Sequence, residues 1–379
     1  MKIIYHHRIA SKDGQYVHVE EIINALRQLG HEVIIVAPNI SEHSDFGSDG
    51  GWVDLLKAKL PKAFYEVLEF SYSFYAFFKL CKAIIKHKPD AIYERCNLFL
   101  PAGIWAKKLF KLPLQLEVNS PLYQERKKYG GIALDGLAKW SETYVWKNAD
   151  KVLPVTHVMA SYIKAVGVPE ANITVIPNGV NTAIFTPKNT ANRAQRFEGK
   201  LVVGFVGFCR EWHKLDEVLE LLAGEKRDDV FFLLVGDGPI IPELKAQAKG
   251  LGFEKQFETT GLVKREDMPY WLDQMDIALQ PAVTPWASPL KMIEYLAKGL
   301  AIVAPDSDNI KELLSDENSV LFNENELDQM LIKIHLLIEN SQLREKLSIN
   351  AQQTITQLNL SWVGNAGKIV NGFNTNEYS

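Results

Sequence analysis

The chain has 379 residues, 47% of them hydrophobic and 23% charged, a composition that excludes a disordered, collagenous or low-complexity protein. At a prior of roughly 150 residues per domain it holds two or three domains. Its net charge of −4 argues against a dedicated nucleic-acid binder, and Cys81, Cys96 and Cys209 are too far apart for a zinc ribbon or disulfide framework.

The charge is uneven along the chain. Residues 1–190 carry 23 Lys and Arg against 18 Asp and Glu, and the remainder carries 19 against 28, so one half favours an anionic surface. The opening MKIIYHHRIA does not read as a signal peptide, and no stretch approaches ~18 uninterrupted apolar residues. The expectation is a cytoplasmic protein.

In chain order, KIIYHH (2–7) reads as a buried strand, Val17 to Leu29 as an amphipathic helix ended by Gly30, and HEVIIVAP (31–38) as the next strand. The segment 62–86, KAFYEVLEFSYSFYAFFKLCKAIIK, is rich in Phe, Tyr and Lys. It reads first as helix packed on the sheet and second as an interfacial surface for anionic lipid, with Lys57, Lys59 and Lys62 as the cations to neutralise. Apolar runs at Ala91–Tyr93, Leu114–Val118, Lys151–Val155 and Ile173–Ile176 continue the first series of strands. Residues 186–200 are polar and read as a linker. A second series follows at 201–207, 231–236, 256–261, 276–280 and 300–305. The expected organisation is an N-terminal domain (1–185), the linker (186–200), a C-terminal domain (201–358) and a closing segment (359–379). Strands alternating with helices in both halves predict an α/β protein with two parallel sheets.

The most informative motif is TPWASPLKMIEYLAKGLAIVAP (284–305). Ser288 is a good N-cap and Pro289 suits the first helical position, so a helix is expected from there to about Gly299. The free amides and dipole of its N-terminus, with the charge of Lys291, suit a phosphate, and Glu294 one turn on suits sugar hydroxyls. GFVGFCREWHKLD (204–216) runs a strand through Gly204 and Gly207 into a loop that gathers Arg210, His213 and Lys214, a pattern that fits a diphosphate clamp. VGDGP (235–239) adds a turn through Gly236 and Gly238 that lets a backbone approach a ligand closely. In SKDGQYVHVEE (11–21), Asp13 and Gly14 follow the first strand and His18 falls on the first helix turn, at the end of the sheet where ligands of open α/β folds bind. Each of these, taken alone, is also plain turn or surface chemistry. No G-x-G-x-x-G follows a strand and no P-loop motif occurs, and the sequons at Asn39, Asn172 and Asn359 read as chance.

Taken in order, DGQYVHVEEIINALRQLGHEV, VIPNGVNTAIFTP, GFVGF with WHK, LLVGDGP, TTGLVKREDMPYWLDQMDIALQP and SPLKMIEYLAKGLAIVAP resemble the retaining GT-B glycosyltransferases of family 4 over nearly the whole chain. The resemblance implies two Rossmann-like domains facing a cleft, with the acceptor on the N-terminal domain, a nucleotide-sugar donor on the C-terminal one, and a final helix, roughly Trp362–Phe373, that crosses back to the N-terminal domain. It further implies that Glu294 binds the ribose, that the Ser288–Pro289 start with the amides of Leu290 and Lys291 holds the distal phosphate, and that Arg210 and Lys214 neutralise the diphosphate. Gly207, Gly236 and Gly238 would shape the donor loops, the backbone near Val263 would meet the base, and Gly14 would approach the phosphates. Asp13, His18 and Asn119 would line the acceptor side. Asn119, Arg210 and Lys214 are the expected catalytic residues, and neither a metal nor a cofactor is implied.

Three departures from the family pattern stand out. Trp286 occupies the position of the first glutamate of E-x7-E, Asn119 that of a cleft histidine near Glu117 and Glu125, and Phe208 that of an arginine. Retaining front-face attack, in which the leaving phosphate takes the acceptor's proton, can tolerate such losses. The reading is therefore a hexosyl transfer from a nucleoside-diphosphate sugar to a glycan or lipid-linked hydroxyl, with peripheral contact to the inner face of an anionic membrane. A catalytically silent sugar-nucleotide-binding partner of a transferase complex is the alternative, and an epimerase of the same architecture a lesser one.

Overall fold

Short apolar runs that alternate with amphipathic segments favour parallel strands joined by helical crossovers. The computed structural model describes residues 1–9, 14–38 and 60–374, and Asp13, Asn39, Lys57 and Lys59 lie outside that range. The chain forms two units, one of Met1–Asn178 with Trp286–Ser288 and Trp362 onward, the other of Gly179–Pro285 with Pro289–Ser361.

The first unit runs β1 (Lys2–His6), α1 (Gly14–Gln28), β2 (Glu32–Val36), α2 (Lys62–His87), β3 (Ala91–Arg95), α3 (Ala102–Phe110), β4 (Leu114–Val118), α4 (Leu122–Tyr129), α5 (Asp135–Asn148), β5 (Lys151–Pro154) and α6 (His157–Ala165). Its parallel sheet has the order β2-β1-β3-β4-β5. Every residue of β3 and β4 is buried, because helices cover both faces. The order reverses at β1 and β3, so the crevice for a ligand opens beyond their carboxyl ends. Ile173–Ile176 departs from the strand expected there. It lies along β5 with one bridge, Val152 to Ile173, and Pro177 removes the next backbone donor.

Helix α2 is one continuous element of 26 residues. It buries a narrow stripe of Glu66, Ser73, Ala76, Leu80 and Ile84, and the last three pack with Ile4, Val36 and Ile92 in the sheet core. Phe74, Tyr75, Phe78 and Ile85 remain more than half exposed. Lys62 donates to the carbonyl of Gly130.

The second unit runs β6 (Leu201–Val206), α7 (Leu215–Gly224), β7 (Val230–Val235), α8 (Ile241–Gly250), β8 (Phe257–Thr259), α9 (Met268–Asp273), β9 (Ile277–Leu279), α10 (Leu290–Lys298), β10 (Ala301–Pro305), α11 (Asp308–Lys311), β11 (Ser319–Phe322), α12 (Leu327–Glu339) and α13 (Ser341–Gln357). Its sheet has the order β11-β10-β9-β6-β7-β8, all parallel. The reversal here falls between β6 and β9. The loop after β6 carries Gly207 and Arg210, and the loop after β9 leads into α10, so the two motifs expected to hold phosphate emerge at the switch point.

The segment 186–200, expected as a linker, is part of this second unit. Its polar residues have partners: Arg193 makes a bidentate pair with Asp276, Lys188 bonds the same carboxylate, and Phe197 is fully buried. The boundary therefore lies at Asn178–Gly179, before the expected one. The chain returns to the first unit at α14 (Trp362–Asn374), where Gln115 of β4 donates to the carbonyl of Ile369 at 2.9 Å and Asn365 donates to that of Pro177 at 2.7 Å.

Candidate active site

In the second unit, Lys291 lies on the first turn of α10, where amides have no carbonyl one turn back to bond. Its ammonium donates to the carbonyl of Val206, the last residue of β6, at 2.9 Å, and stands 4.0 Å from the centroid of the buried Phe205 ring. The His213 ring packs on Phe205 as well, with centroids 4.8 Å apart. Burial, and then the charges of Lys291 and Arg210, hold the His213 imidazole down to about 3, so it is neutral. Its Nδ1 accepts from the amide of Arg210 at 3.1 Å, which makes it a buried support for the loop and not one of the cationic ligands expected there. Lys291 and Arg210 thus approach one imidazole from separate elements.

Arg210 and Lys214 are exposed. The Arg210 guanidinium lies over Phe208 and Trp212, at 4.8 and 5.1 Å, and Lys214 pairs loosely with Glu217 at 3.5 Å. The cations expected to form the clamp are together on one loop, and only Lys291 is held under low solvent exposure. Burial lowers its ammonium to about 7 against the opposing pull of Cys209 and Glu294.

The glycine turn brings two loops into close contact. Gly236 has φ +139°, and a Cβ there would stand 2.1 Å from the carbonyl oxygen of Gly207; one on Gly238 would stand 2.0 Å from that of Cys209. The loops after β6 and β7 are pressed backbone to backbone, with the Cys209 amide donating to Asp237 at 2.7 Å, and only glycine fits.

Glu294 faces Arg265. A guanidinium N–H of Arg265 contacts Oε1 of Glu294, whose side chain is 5% exposed. The guanidinium also lies 4.6 Å over the ring of Phe185. Arg265 begins a 3₁₀ turn, Arg265–Asp267, two residues after Val263 in the loop that follows β8. Sequence reasoning did not single out Arg265, because a Lys-Arg-Glu-Asp run reads as a solvated surface.

In the first unit, a buried polar cluster fills the carboxyl ends of β1, β3 and β4. Glu117 receives Tyr93 Oη at 2.8 Å, Tyr5 Oη at 3.4 Å, a short contact from Arg95, and the Asn119 amide. His18 on α1 stands with Nε2 3.0 Å from Glu117 and Nδ1 2.6 Å from Oδ1 of Asn178. Burial would raise the Glu117 carboxyl, but His18 and Arg95 with the hydrogen bond from Asn119 more than reverse this and hold it far below the usual carboxylate range. An ionised carboxylate only accepts, so the Asn119 NH₂ must face Glu117 and its carbonyl oxygen turns the other way. Asn119 is half-buried, whereas His18 is 5% exposed, with both ring nitrogens against protein acceptors. Gly14 opens α1.

Ser288 is not the N-cap of α10. Pro289 takes that position with φ −69° and ψ 122°, and the Ser288 hydroxyl accepts from the Asn178 amide at 3.1 Å while its carbonyl accepts from the Asn178 side chain. Trp286, at the position of the first glutamate, is 6% exposed in the core of the first unit, edge-on to Tyr162 at 6.3 Å, with its carbonyl bonded by Thr156 at 3.0 Å.

The description Glycosyltransferase Family 4 matches residues 12–184, and Glycosyl transferases group 1 matches residues 188–354, so together they account for most of the chain. The chain is a group 1 glycosyltransferase of family 4.

Among its relatives, this glycosyltransferase is 23% identical over 367 residues to alpha-monoglucosyldiacylglycerol synthase of Acholeplasma laidlawii, covering 89% of this chain and 88% of that one. A shorter match, 28% over 152 residues, relates it to 2-deoxystreptamine glucosyltransferase of Streptomyces kanamyceticus, covering 38% of this chain and 39% of that one. Its fold is GT-B, with two Rossmann-like domains. Anabaena HepE, solved with UDP, superimposes with a TM-score of 0.75 at 18% identity over 99% of this chain and 100% of that one.

Proposed function

We propose that this glycosyltransferase moves a hexosyl group, with retention, from a nucleoside-diphosphate sugar to a hydroxyl acceptor in glycan or glycolipid synthesis. The observation that carries the reading is the placement of Lys291 and the first turn of α10 beside the Gly207 loop at the switch point of the second sheet, with Glu294 one turn further. A nucleotide diphosphate there would lie against helix amides, Lys291 and Arg210, and its ribose would reach Glu294. These groups supply positive charge where the leaving diphosphate gains negative charge, so the reading calls on neither a metal nor a resident cofactor. In the step itself the bond from the anomeric carbon to the phosphate oxygen breaks and the bond to the acceptor oxygen forms on the same face. The acceptor's proton passes to the departing phosphate.

HepE is described with UDP and with UDP-glucose, which makes UDP the first nucleotide to test. The Acholeplasma relative is a diacylglycerol glycoside synthase, which makes a lipid-linked acceptor the first acceptor class. Among the described residues no helix is long and apolar enough to cross a membrane, so such an acceptor would be met from the surface. The exposed aromatic side of α2 supports that contact, since from Phe70 to Lys88 the chain carries Lys79, Lys82, Lys86 and Lys88 and no Asp or Glu.

The test is a donor screen. The full chain is incubated with UDP-, GDP- and ADP-sugars, and thermal shift and released nucleoside diphosphate are both followed. Stabilisation and slow hydrolysis by one donor, both lost in Glu294→Ala, is the expected result. Binding without turnover under any acceptor favours the silent-partner reading, and no binding at all sinks the assignment of the site.

A further inference from the structure

Glu294 is a carboxylate with little access to water, and such a group neutralises itself unless a cation stands against it. A neutral carboxyl has a hydroxyl that donates, and it is a poorer acceptor for two vicinal hydroxyls than an anion with about four lone-pair positions. Among the described residues, Arg265 is the ion-pair partner of Glu294. Its guanidinium cannot give up its proton in a protein, and one N–H on Oε1 does not by itself exhaust the acceptor positions of a carboxylate.

Arg265 is itself held in place. Its guanidinium rests on Phe185, which is 2% exposed, and its Nε is buried with no hydrogen-bond partner among the described residues. The side chain thus forgoes a hydrogen bond in the orientation that meets Glu294, which is not how a solvated surface arginine behaves. The loop that holds it also carries Val263.

We infer that Arg265 is a positioning residue for the nucleoside: it keeps Glu294 ionised and aimed so that the carboxylate can accept from the ribose hydroxyls. This rests on the donor site proposed above and adds a residue to it. Arg265 acts through Glu294 and need not touch the ligand.

The test measures binding of UDP, GDP and ADP, their 2′-deoxy counterparts and inorganic diphosphate to the full chain by titration calorimetry. The wild type is expected to prefer one ribonucleotide over its 2′-deoxy form. Arg265→Gln is expected to weaken that ribonucleotide about tenfold, as for the loss of one charge-assisted hydrogen bond, and so collapse the ribose preference. Binding of inorganic diphosphate should be unchanged, and Arg265→Lys should restore part of the preference. A ribose preference that survives Arg265→Gln overturns the inference while leaving the donor site intact. Tighter ribonucleotide binding by Arg265→Gln also overturns it, since Arg265 would then be a latch that the nucleotide must displace. Failure of the wild type to bind any of the nucleoside diphosphates removes both the donor site and the inference.

Discussion

The ammonium of Lys291 donates to the carbonyl of Val206 and has no carboxylate within ion-pair distance among the described residues. A cation held this way is neutralised by an arriving anion rather than by the fold. Burial has already brought it to about 7, so the free site holds a mixture of charged and neutral lysine near neutral pH.

Nucleoside diphosphate affinity should therefore fall as pH rises from 7 to 9, because the free protein loses the proton that the diphosphate requires. The second phosphate ionisation, near 6, is complete over that window and does not oppose the trend. Calorimetry in two buffers of different ionisation heat should show proton uptake on binding. Lys291→Arg should flatten the dependence, and a flat wild-type profile would show that Lys291 does not face the diphosphate.

Glu142 gives a stability prediction. Burial pushes its carboxyl up to about 7 although it accepts from the Tyr123 amide at 3.0 Å, at the start of α4. The folded value lies above the unfolded one of about 4.3, so the stabilisation is complete below that value and is lost as pH rises through 7. Glu142→Gln should be about as stable as wild type at pH 4.5 and melt at least about 3 °C higher at pH 8.5. Equal melting differences at both pH values would refute the assignment.

Gly236→Ala should cost both stability and donor binding. Its Cβ would meet the Gly207 carbonyl at 2.1 Å in a backbone conformation at φ +139° that alanine rarely adopts, so the two loops must part. A loss of about 2 kcal/mol or more is expected in denaturant titration, with weaker diphosphate binding. Unaltered stability would mean that the loops are not in contact.

Glu117→Gln removes the anion between Arg95 and His18 and should cost about 3–5 kcal/mol, because a buried cation is left uncompensated. Adding Arg95→Met should recover part of that loss. A double-mutant cycle with no coupling would show that the pair is not a unit.

The aromatic side of α2 predicts sedimentation with anionic vesicles. Phe78→Ser with Ile85→Ser, or neutralisation of Lys82, Lys86 and Lys88, should reduce it several-fold with little change in melting temperature, since these side chains are exposed and lie off the buried stripe. Equal sedimentation with zwitterionic vesicles would remove the preference for anionic lipid, and no sedimentation with either would remove the membrane contact.

Both sheets were legible because their strands are apolar runs separated by helix-length segments. β11 escaped notice because only Val320–Phe322 is apolar in a polar stretch, which is enough for an edge strand. The α10 helix was readable from the charge and spacing of Lys291 and Glu294, but its cap was not, because Pro289 stands where Ser288 was expected and Ser288 bonds Asn178 instead. What composition hid was pairing at a distance. Residues 186–200 look like a linker until Asp276 supplies the partner for Arg193, some eighty residues on, and Arg265 looks like surface until α10 brings Glu294 to it. His18 carries no local sign that Asn178 lies against it.

Trp286–Ser288 belongs to the first unit although it is flanked on both sides by residues of the second. The polypeptide therefore changes unit four times, and neither unit is one contiguous stretch. A truncation near residue 185 would deprive the first core of the Trp286 indole and of α14 at once, so the fragment should not fold as the intact unit does. Exchange of the second unit between homologues faces the same obstacle. A chimaera joined near residue 185 fills the core of its first unit with residue 286 of the other parent, and that one side chain should be transplanted back.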